Sequence, residues 1–207
     1  TNQNAAYIAG QLSRLGDVNR SYSYWTFGDI FEEQGVPFAP FHGGFGLVAN
    51  GCIPKPTFFA FQFYKELVGE CILKTEDMLV LATKDGGYRG IMFNSARQRT
   101  GRELEFSLSF PVDIKKEYMF LTKTVDEDTC NPLRLWHNMG EPKSLTQKQK
   151  KLLRESARPL IASSRCTGSE GKLQISLTVK EFGVVYFELE PVKTEGDRGY
   201  DYARVTG

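Results

Sequence analysis

Histidine and cysteine are scarce in this chain of 207 residues, which contains two histidines and four cysteines. The cysteines lie far apart and form no CxxC pair, so their spacing argues against a zinc site. Two disulfides are possible in principle, but sparse and irregular spacing is more typical of reduced thiols in a cytoplasmic protein. We therefore expect a cytoplasmic protein that uses no metal ion or other cofactor. The four cysteines are Cys52, Cys71, Cys130 and Cys166.

A dominant charge and a long apolar run are also lacking. The 26 basic and 25 acidic residues give a net charge of +1, which argues against nucleic acid or an anionic membrane as the main partner. No run approaches the ~18 apolar residues that are needed to cross a bilayer. No signal peptide is visible, but this carries little weight because the chain begins at Thr1 without a methionine. At 41% hydrophobic residues, the chain can bury a core in one or two domains.

The most distinctive stretch of the chain combines aromatic residues with carboxylates. Residues 21–27 form an aromatic run that predicts a strand, which breaks at Gly28 and is followed by Asp29, Glu32 and Glu33. Flat rings beside carboxylates suit a sugar, which has apolar C–H faces and a rim of hydroxyls. In an α/β barrel, the ends of the strands present such groups to a ligand. A buried strand followed by a solvated acidic loop explains the residue types equally well.

Helical periodicity flanks this stretch on both sides. Apolar residues recur at helical spacing over residues 4–15, and a second helix begins at Pro56 and extends to residue 67. The long loop between residues 28 and 55 is expected to be functional. Four phenylalanines nearly encircle the second helix, which favours a buried helix over an aromatic ligand surface. They are Phe58, Phe59, Phe61 and Phe63.

After Gly69 the pattern changes to short alternating segments separated by turn residues, which predicts an antiparallel β-sandwich. One helix over residues 147–157, capped by Thr146, interrupts it. The lysines of this helix are interpreted as a solvated face rather than a nucleic-acid site. Trp136 is interpreted as an anchor for the connection over residues 131–140. The predicted strands cover residues 71–73, 78–83, 88–94, 104–110, 117–124, 172–179 and 182–189.

Four motifs in order resemble the retaining β-xylosidases of glycoside hydrolase family 39. The resemblance is dense over the first third of the chain and thinner beyond it. Upstream, Asn4-Ala5-Ala6-Tyr7-Ile8-Ala9 is similar to the helix that precedes the strand in that family, and residues 131–140 resemble a connection in its C-terminal domain. The motifs are Tyr24-Trp25-Thr26-Phe27, Asp29-Ile30-Phe31-Glu32-Glu33-Gln34-Gly35, Phe41-His42-Gly43-Gly44-Phe45-Gly46-Leu47 and Ile53-Pro54-Lys55-Pro56.

The resemblance implies an α+β, multi-domain fragment of a xylan-degrading hydrolase. Residues 1–68 would supply the last helix, strand and helix of a (β/α)8 barrel, residues 69–192 the β-sandwich, and residues 193–207 a terminal extension. Retaining glycosidases use two carboxyl groups about 5 Å apart. In the resembled family both are glutamates on earlier barrel strands, before the position that matches Thr1, and no Asn-Glu dipeptide is present here. The catalytic residues are therefore expected to lie outside this chain, and the chain alone is expected to be inactive.

For the residues that are present, the resemblance implies a role in binding a xyloside. Trp25 would close the floor of the pocket for the non-reducing sugar, while Glu32, more than Glu33, would hold sugar hydroxyls. Adjacent residues such as these two glutamates diverge in direction, so they do not form a replacement catalytic pair. His42 would either donate a hydrogen bond to the sugar or lock the glycine turn beside it.

Two other functional classes stay open at this stage. A non-catalytic carbohydrate-binding sandwich would need an exposed aromatic platform within residues 70–190. The sugar-sensing part of a transcriptional regulator would need a DNA-binding domain upstream of this chain. For a barrel fragment, we expect the helix over residues 56–67 to expose more aromatic surface than in a complete barrel, and to drive self-association or packing on the rest of the barrel.

Overall fold

The computed structural model describes residues 1–17, 19–30, 35 and 37–193. Two helices open the fold, α1 at Asn2–Ser13 and α2 at Pro56–Glu66. Thr1 caps α1 because its hydroxyl accepts a hydrogen bond from the Asn4 N–H at 3.3 Å. Both predicted helices are confirmed, with α1 displaced by two residues at each end. None of the helices in the described part of the chain has the length and hydropathy of a membrane span.

The strand predicted over residues 21–27 is wrong: these residues belong to none of the sheets of the described chain, which bends at Trp25 and Phe27. They still alternate in exposure as in an extended segment, with odd positions exposed and even positions half-buried. The Thr26 and Phe27 carbonyls accept hydrogen bonds from the Leu47 and Val48 N–H groups at 3.0 and 2.9 Å.

The loop between the helices contains a short antiparallel hairpin, β1 at Val48–Ala49 and β2 at Ile53–Pro54. A parallel bridge joins Gly28 to Val48. Lys55 follows β2 and is the N-cap residue of α2. The prediction that residues 28–55 form a loop is therefore corrected, because this range contains the β1–β2 hairpin. The hairpin sets where α2 begins.

The rest of the chain forms two antiparallel sheets. The larger sheet has six strands in the order β3-β4-β5-β10-β7-β8, and the smaller sheet pairs β6 with β9. The predicted strands are confirmed as elements, whereas β8 was missed. Its sequence is polar at the centre and most of its residues are exposed, so it lacks apolar alternation. The strands are β3 Glu70–Lys74, β4 Met78–Ala82, β5 Tyr88–Phe93, β6 Leu104–Pro111, β7 Glu117–Val125, β8 Leu160–Thr167, β9 Lys172–Val179 and β10 Val184–Pro191.

The central strands of the larger sheet bury both of their faces. On β5 and β10, Met92 and Phe187 face the smaller sheet, while Ile91 and Tyr186 face α1 and α2. Gly90 fits where the Phe187 ring passes, because an added Cβ would collide with that ring. The fold therefore has three layers, with the helices on one side of the larger sheet and the smaller sheet on the other.

The phenylalanines of α2 are largely covered within this chain. Phe59 and Phe63 are buried against the larger sheet, and Phe58 and Phe61 are half-buried. Tyr24 covers Phe61 with ring centroids 5.5 Å apart. Greater exposure than in a complete barrel, and the self-association or packing that would follow from it, stay predictions. The strongly exposed rings lie instead on the residues between α1 and α2.

Two further helices, α3 at Pro132–Asn138 and α4 at Gln147–Ser156, pack on the β1–β2 hairpin. The α4 prediction is confirmed, while α3 replaces the connection expected over residues 131–140. Trp136 is buried in α3, packs edge-on against Phe41, and donates from Nε1 to the Pro142 carbonyl at 3.1 Å. It anchors this connection on the core, as the sequence indicated.

Candidate functional site

A buried ion pair holds together the loop that follows residues 21–28. Asp29 is 1% exposed, and its Oδ1 accepts hydrogen bonds from the Gly46 N–H at 2.6 Å and from Lys55 Nζ at 2.8 Å. Lys55 Nζ also lies 2.7 Å from Asp29 Oδ2 and donates to the Gly44 carbonyl at 2.8 Å. The pair is compensated on both sides, because the carboxylate has a backbone donor and the ammonium has a backbone acceptor. We call Asp29, Lys55, Gly44 and Gly46 the loop lock.

Glycine is required at two positions of the loop lock. An added Cβ at Gly44 would lie 2.7 Å from Asp29 Cγ, and one at Gly46 would lie 2.5 Å from the Asp29 backbone nitrogen. Both are rigid, buried neighbours that cannot move aside. The glycine-rich motif over residues 41–47 therefore allows two backbone segments to close on one carboxylate.

Trp25 lies at the outer side of this arrangement. Its ring is 67% exposed, and Phe27, two residues further on the same side, is 69% exposed. Phe45, on the segment that hydrogen-bonds to residues 26–29, is 67% exposed. Exposed aromatic rings on two paired segments give one end of the molecule an apolar character that suits the C–H face of a sugar.

His42 is half-buried beside the loop lock. An added Cβ at Gly44 would lie 2.8 Å from His42 Cε1, so the imidazole borders the glycine turn. Of the two roles predicted for His42, this position supports locking the turn. Glu32 and Glu33, the predicted hydroxyl-binding residues, lie outside the described residues.

A cavity of about 370 Å³ opens between the loop lock and the first turns of α1 and α2. Tyr24, Phe41 and Phe45 line it together with Asn4 and Lys55. Asn4 donates from Nδ2 to the Thr57 hydroxyl at 2.9 Å and to the Tyr24 hydroxyl at 3.2 Å, which ties the extended segment to both helices. Three larger concavities among the described residues, of about 420, 480 and 660 Å³, have no aromatic lining residue and are less suited to a sugar ring.

The described residues contain no group of three or more His, Cys, Asp or Glu side chains arranged to hold a metal ion. All four cysteines are free, so the two-disulfide alternative is excluded. Burial, with a smaller contribution from Asp126, raises the pKa of the Cys130 thiol well above its usual range. Asp29 is engaged in the loop lock and is therefore a structural carboxylate rather than a candidate nucleophile.

The sheets do not offer a sugar-binding platform. Residues 70–190 are all described, and every aromatic residue among them is buried or half-buried. The exposed apolar residues of this part are aliphatic, including Ile72, Ile114 and Ile161. The feature that a carbohydrate-binding sandwich would need is therefore missing from this range.

Sequence reasoning missed Lys55 as a functional residue. The lysine was visible within Ile53-Pro54-Lys55-Pro56, where two prolines fix the backbone on both sides of it. Its partner is 26 residues away in the sequence. A local pattern does not predict such a pair, and the only available signal was a lysine in an otherwise apolar and rigid tetrapeptide.

Comparison with known proteins places these features in a family. The profile of glycosyl hydrolases family 39 matches residues 1–174. The chain is 38% identical to a β-xylosidase of Geobacillus stearothermophilus over an alignment of 193 residues. This alignment covers 93% of this chain and 38% of the relative. It is 34% identical to a β-xylosidase of Caldicellulosiruptor saccharolyticus over an alignment of 163 residues. This alignment covers 70% of this chain and 31% of the relative.

Among solved structures, the family 39 enzyme from Xanthomonas axonopodis pv. citri superimposes with a TM-score of 0.80 at 26% identity, over 93% of this chain and 41% of that one. The chain thus spans less than two fifths of the length of both β-xylosidases. The resemblance seen in the four motifs is confirmed. From its sequence and its fold alike, the chain belongs to glycosyl hydrolase family 39.

Proposed function

We propose that the chain is the C-terminal part of a retaining β-xylosidase that hydrolyses O-glycosyl bonds in xylo-oligosaccharides. In this proposal residues 1–68 complete a (β/α)8 barrel, residues 69–192 form a β-sandwich and residues 193–207 an extension. The two catalytic glutamates belong to a part of the protein outside this chain. The whole protein functions in the cytoplasm. The β-xylosidase relatives and the four motifs support this proposal.

The observation that carries the proposal is the alternating exposure of residues 21–28. Tyr22 and Tyr24 lie against Phe61 of α2, while the odd positions, ending in Trp25 and Phe27, are exposed. A segment with this pattern fits a barrel strand that lacks its neighbours, with α2 as the helix outside it. A side chain at the end of such a strand faces the substrate. Trp25 is therefore assigned to the floor of the sugar pocket.

The loop lock gives a fixed base to the loop that connects Asp29 to Lys55, which we call the substrate loop. It joins Asp29, where the loop leaves the extended segment, to Gly46 and Lys55, where the loop returns and α2 begins. Glu32 and Glu33 lie in sequence between these fixed points. A carboxylate that accepts sugar hydroxyls must be held in position to favour the transition state. We assign Glu32 to the sugar hydroxyls, with Glu33 in a lesser role, and His42 to the turn that supports them.

The test uses the full-length protein that contains this chain and measures nitrophenol release from an aryl β-xyloside. Glu32→Gln should lower kcat/KM by roughly 10- to 100-fold, about 1.4–2.7 kcal/mol of transition-state stabilisation. Trp25→Ala should also lower kcat/KM, whereas Glu33→Gln is the matched control and should have a smaller effect. Equal and negligible losses in all three variants would refute the site.

The chain of residues 1–207 on its own should release no nitrophenol in the same assay, because the proposed catalytic glutamates are missing. Activity that persists in this chain and disappears in Glu32→Gln would show instead that the loop carboxylate is catalytic.

A further inference from the structure

A further concavity lies between Phe38 and Pro40, on the chain that connects Asp29 to Lys55, and the helix α4. It has a volume of about 280 Å³ and is bordered by the loop residue Phe38, the β1–β2 turn and the residues that lead into α4. Phe38 is 90% exposed. We call this concavity, with Phe38, Asn50, Lys143, Ser144 and Lys150 as its main lining residues, the basic subsite.

The frame of the basic subsite is fixed by hydrogen bonds. Arg154 donates from Nε and Nη2 to the Gly51 carbonyl at 2.8 and 2.6 Å, so α4 is tied to the β1–β2 turn. Lys150 lies one helical turn earlier on the same face, and its Cγ lies 3.7 Å from the position of a Cβ on Gly51. Asn50 donates from Nδ2 to the Pro37 carbonyl at 2.6 Å, which ties the turn to the segment that carries Phe38.

The charge of the basic subsite has no compensating partner among the described residues, where Lys143 and Lys150 form no ion pair and no side-chain hydrogen bond. The acidic side chains nearby are already engaged, since Glu141 pairs with His137 at 2.7 Å and Glu155 lies 3.9 Å from Lys151. Two free ammonium groups beside an exposed ring and a hydroxyl favour an anion that also has an apolar face and hydroxyl groups.

We propose that the basic subsite binds a uronic acid unit carried as a branch on a pentose oligosaccharide, which extends the substrate class of the proposed function and rests on it. The sugar ring stacks on Phe38, its carboxylate contacts Lys143 and Lys150, and its hydroxyls bond to Asn50 and Ser144. A charge-assisted contact of carboxylate with ammonium is stronger than a neutral hydrogen bond and gives the site its selectivity. The stacking supplies contact with the apolar face of the ring.

The basic subsite is formed entirely by this chain, so the chain of residues 1–207 is sufficient for the test. Its affinity for xylotriose bearing a glucuronic acid branch is measured by calorimetry, and compared with that for the same oligosaccharide after reduction of the carboxylate to the alcohol. The acidic ligand should bind about 10-fold more tightly, and the difference should shrink as salt is raised. The double variant Lys143→Gln/Lys150→Gln should abolish the difference.

Two variants distinguish binding in the concavity from a general attraction to the positive charge of the surface. The matched control Lys148→Gln/Lys151→Gln removes the same net charge from α4 outside the concavity and should preserve the difference between the ligands. Phe38→Ala should weaken both ligands alike, because stacking does not depend on the carboxylate. Equal affinity for both ligands, retention of the difference in Lys143→Gln/Lys150→Gln, or equal competition by citrate would each overturn the proposal.

These outcomes are distinct from failure of the proposed function. That failure would be a full-length protein that does not cleave the aryl β-xyloside, whereas the charge selectivity measured on this chain requires no turnover.

Discussion

Replacing Lys55 with methionine tests the loop lock directly. Methionine keeps most of the apolar stem but removes the ammonium, so among the described residues the Asp29 carboxylate retains only the Gly46 N–H as a donor. The Asp29 side chain is 0% exposed and that of Lys55 is 14% exposed, so water cannot replace the lost partner without opening the loop. Removing one member of a buried ion pair costs about 3–5 kcal/mol. This is a large part of the ~5–15 kcal/mol that stabilises a typical domain.

Urea unfolding of the chain measures this loss, and hydrogen exchange of the Gly46 amide reports whether the loop itself opens. The double variant Lys55→Met/Asp29→Asn should lose less than Lys55→Met alone, because a neutral amide still accepts from Gly46 without a buried charge. Lys74→Met is the matched control. Its partner Asp17 is 54% exposed, and the loss there should stay below about 1 kcal/mol. A loss from Lys55→Met as small as that of the control, or no relief from Asp29→Asn, would refute this reasoning.

Two further outcomes follow from burial. Trp136→Ala should lower the free energy of unfolding in urea by about 3–5 kcal/mol, because it leaves a cavity between α3 and the hairpin and an unpaired Pro142 carbonyl; a loss below about 1 kcal/mol would contradict the anchoring role. Iodoacetamide should modify the exposed Cys52 and Cys71 in the native chain well before Cys130, which is buried and has a raised pKa. Mass spectrometry of peptides checks this order, and equal rates for all three would show that the Cys130 region opens readily.

The elements that could be predicted from sequence are those whose signal is local. Helical spacing of apolar residues located α1 and α2, and the predicted cap at Thr146 located α4, where the structure shows a capping box with Gln149. Short alternation separated by turns located most strands. The same rule failed at β8, because an edge strand with a polar centre carries no apolar face. It also failed at residues 21–27, which alternate in exposure but belong to none of the sheets of the described chain.

The residues of the candidate site also divide into those that the sequence indicates and those that it does not. Trp25 was selected from its motif and is 67% exposed in the structure, and its contact with a sugar stays a prediction. The loop lock could not be predicted, because it joins Asp29 to Lys55 and to backbone atoms of two glycines, and each contact depends on how the loop folds back. The basic subsite could not be predicted either, since Phe38 and Lys150 are far apart in the sequence and line one concavity together with the β1–β2 turn. Long-range contacts of this kind have no periodicity that a single sequence displays.

The burial of β5 and β10 on both faces limits how this part of the family can evolve. The boundary proposed between residues 68 and 69 separates segments whose side chains share one core, since Ala5 and Phe63 pack with Ile91 and Tyr186. Recombination at that boundary would leave an apolar face bare on each product. We therefore expect the sheets to require these two helices wherever they fold, and a substitution on the buried face of α2 to require a compensating change in its neighbours on the sheet.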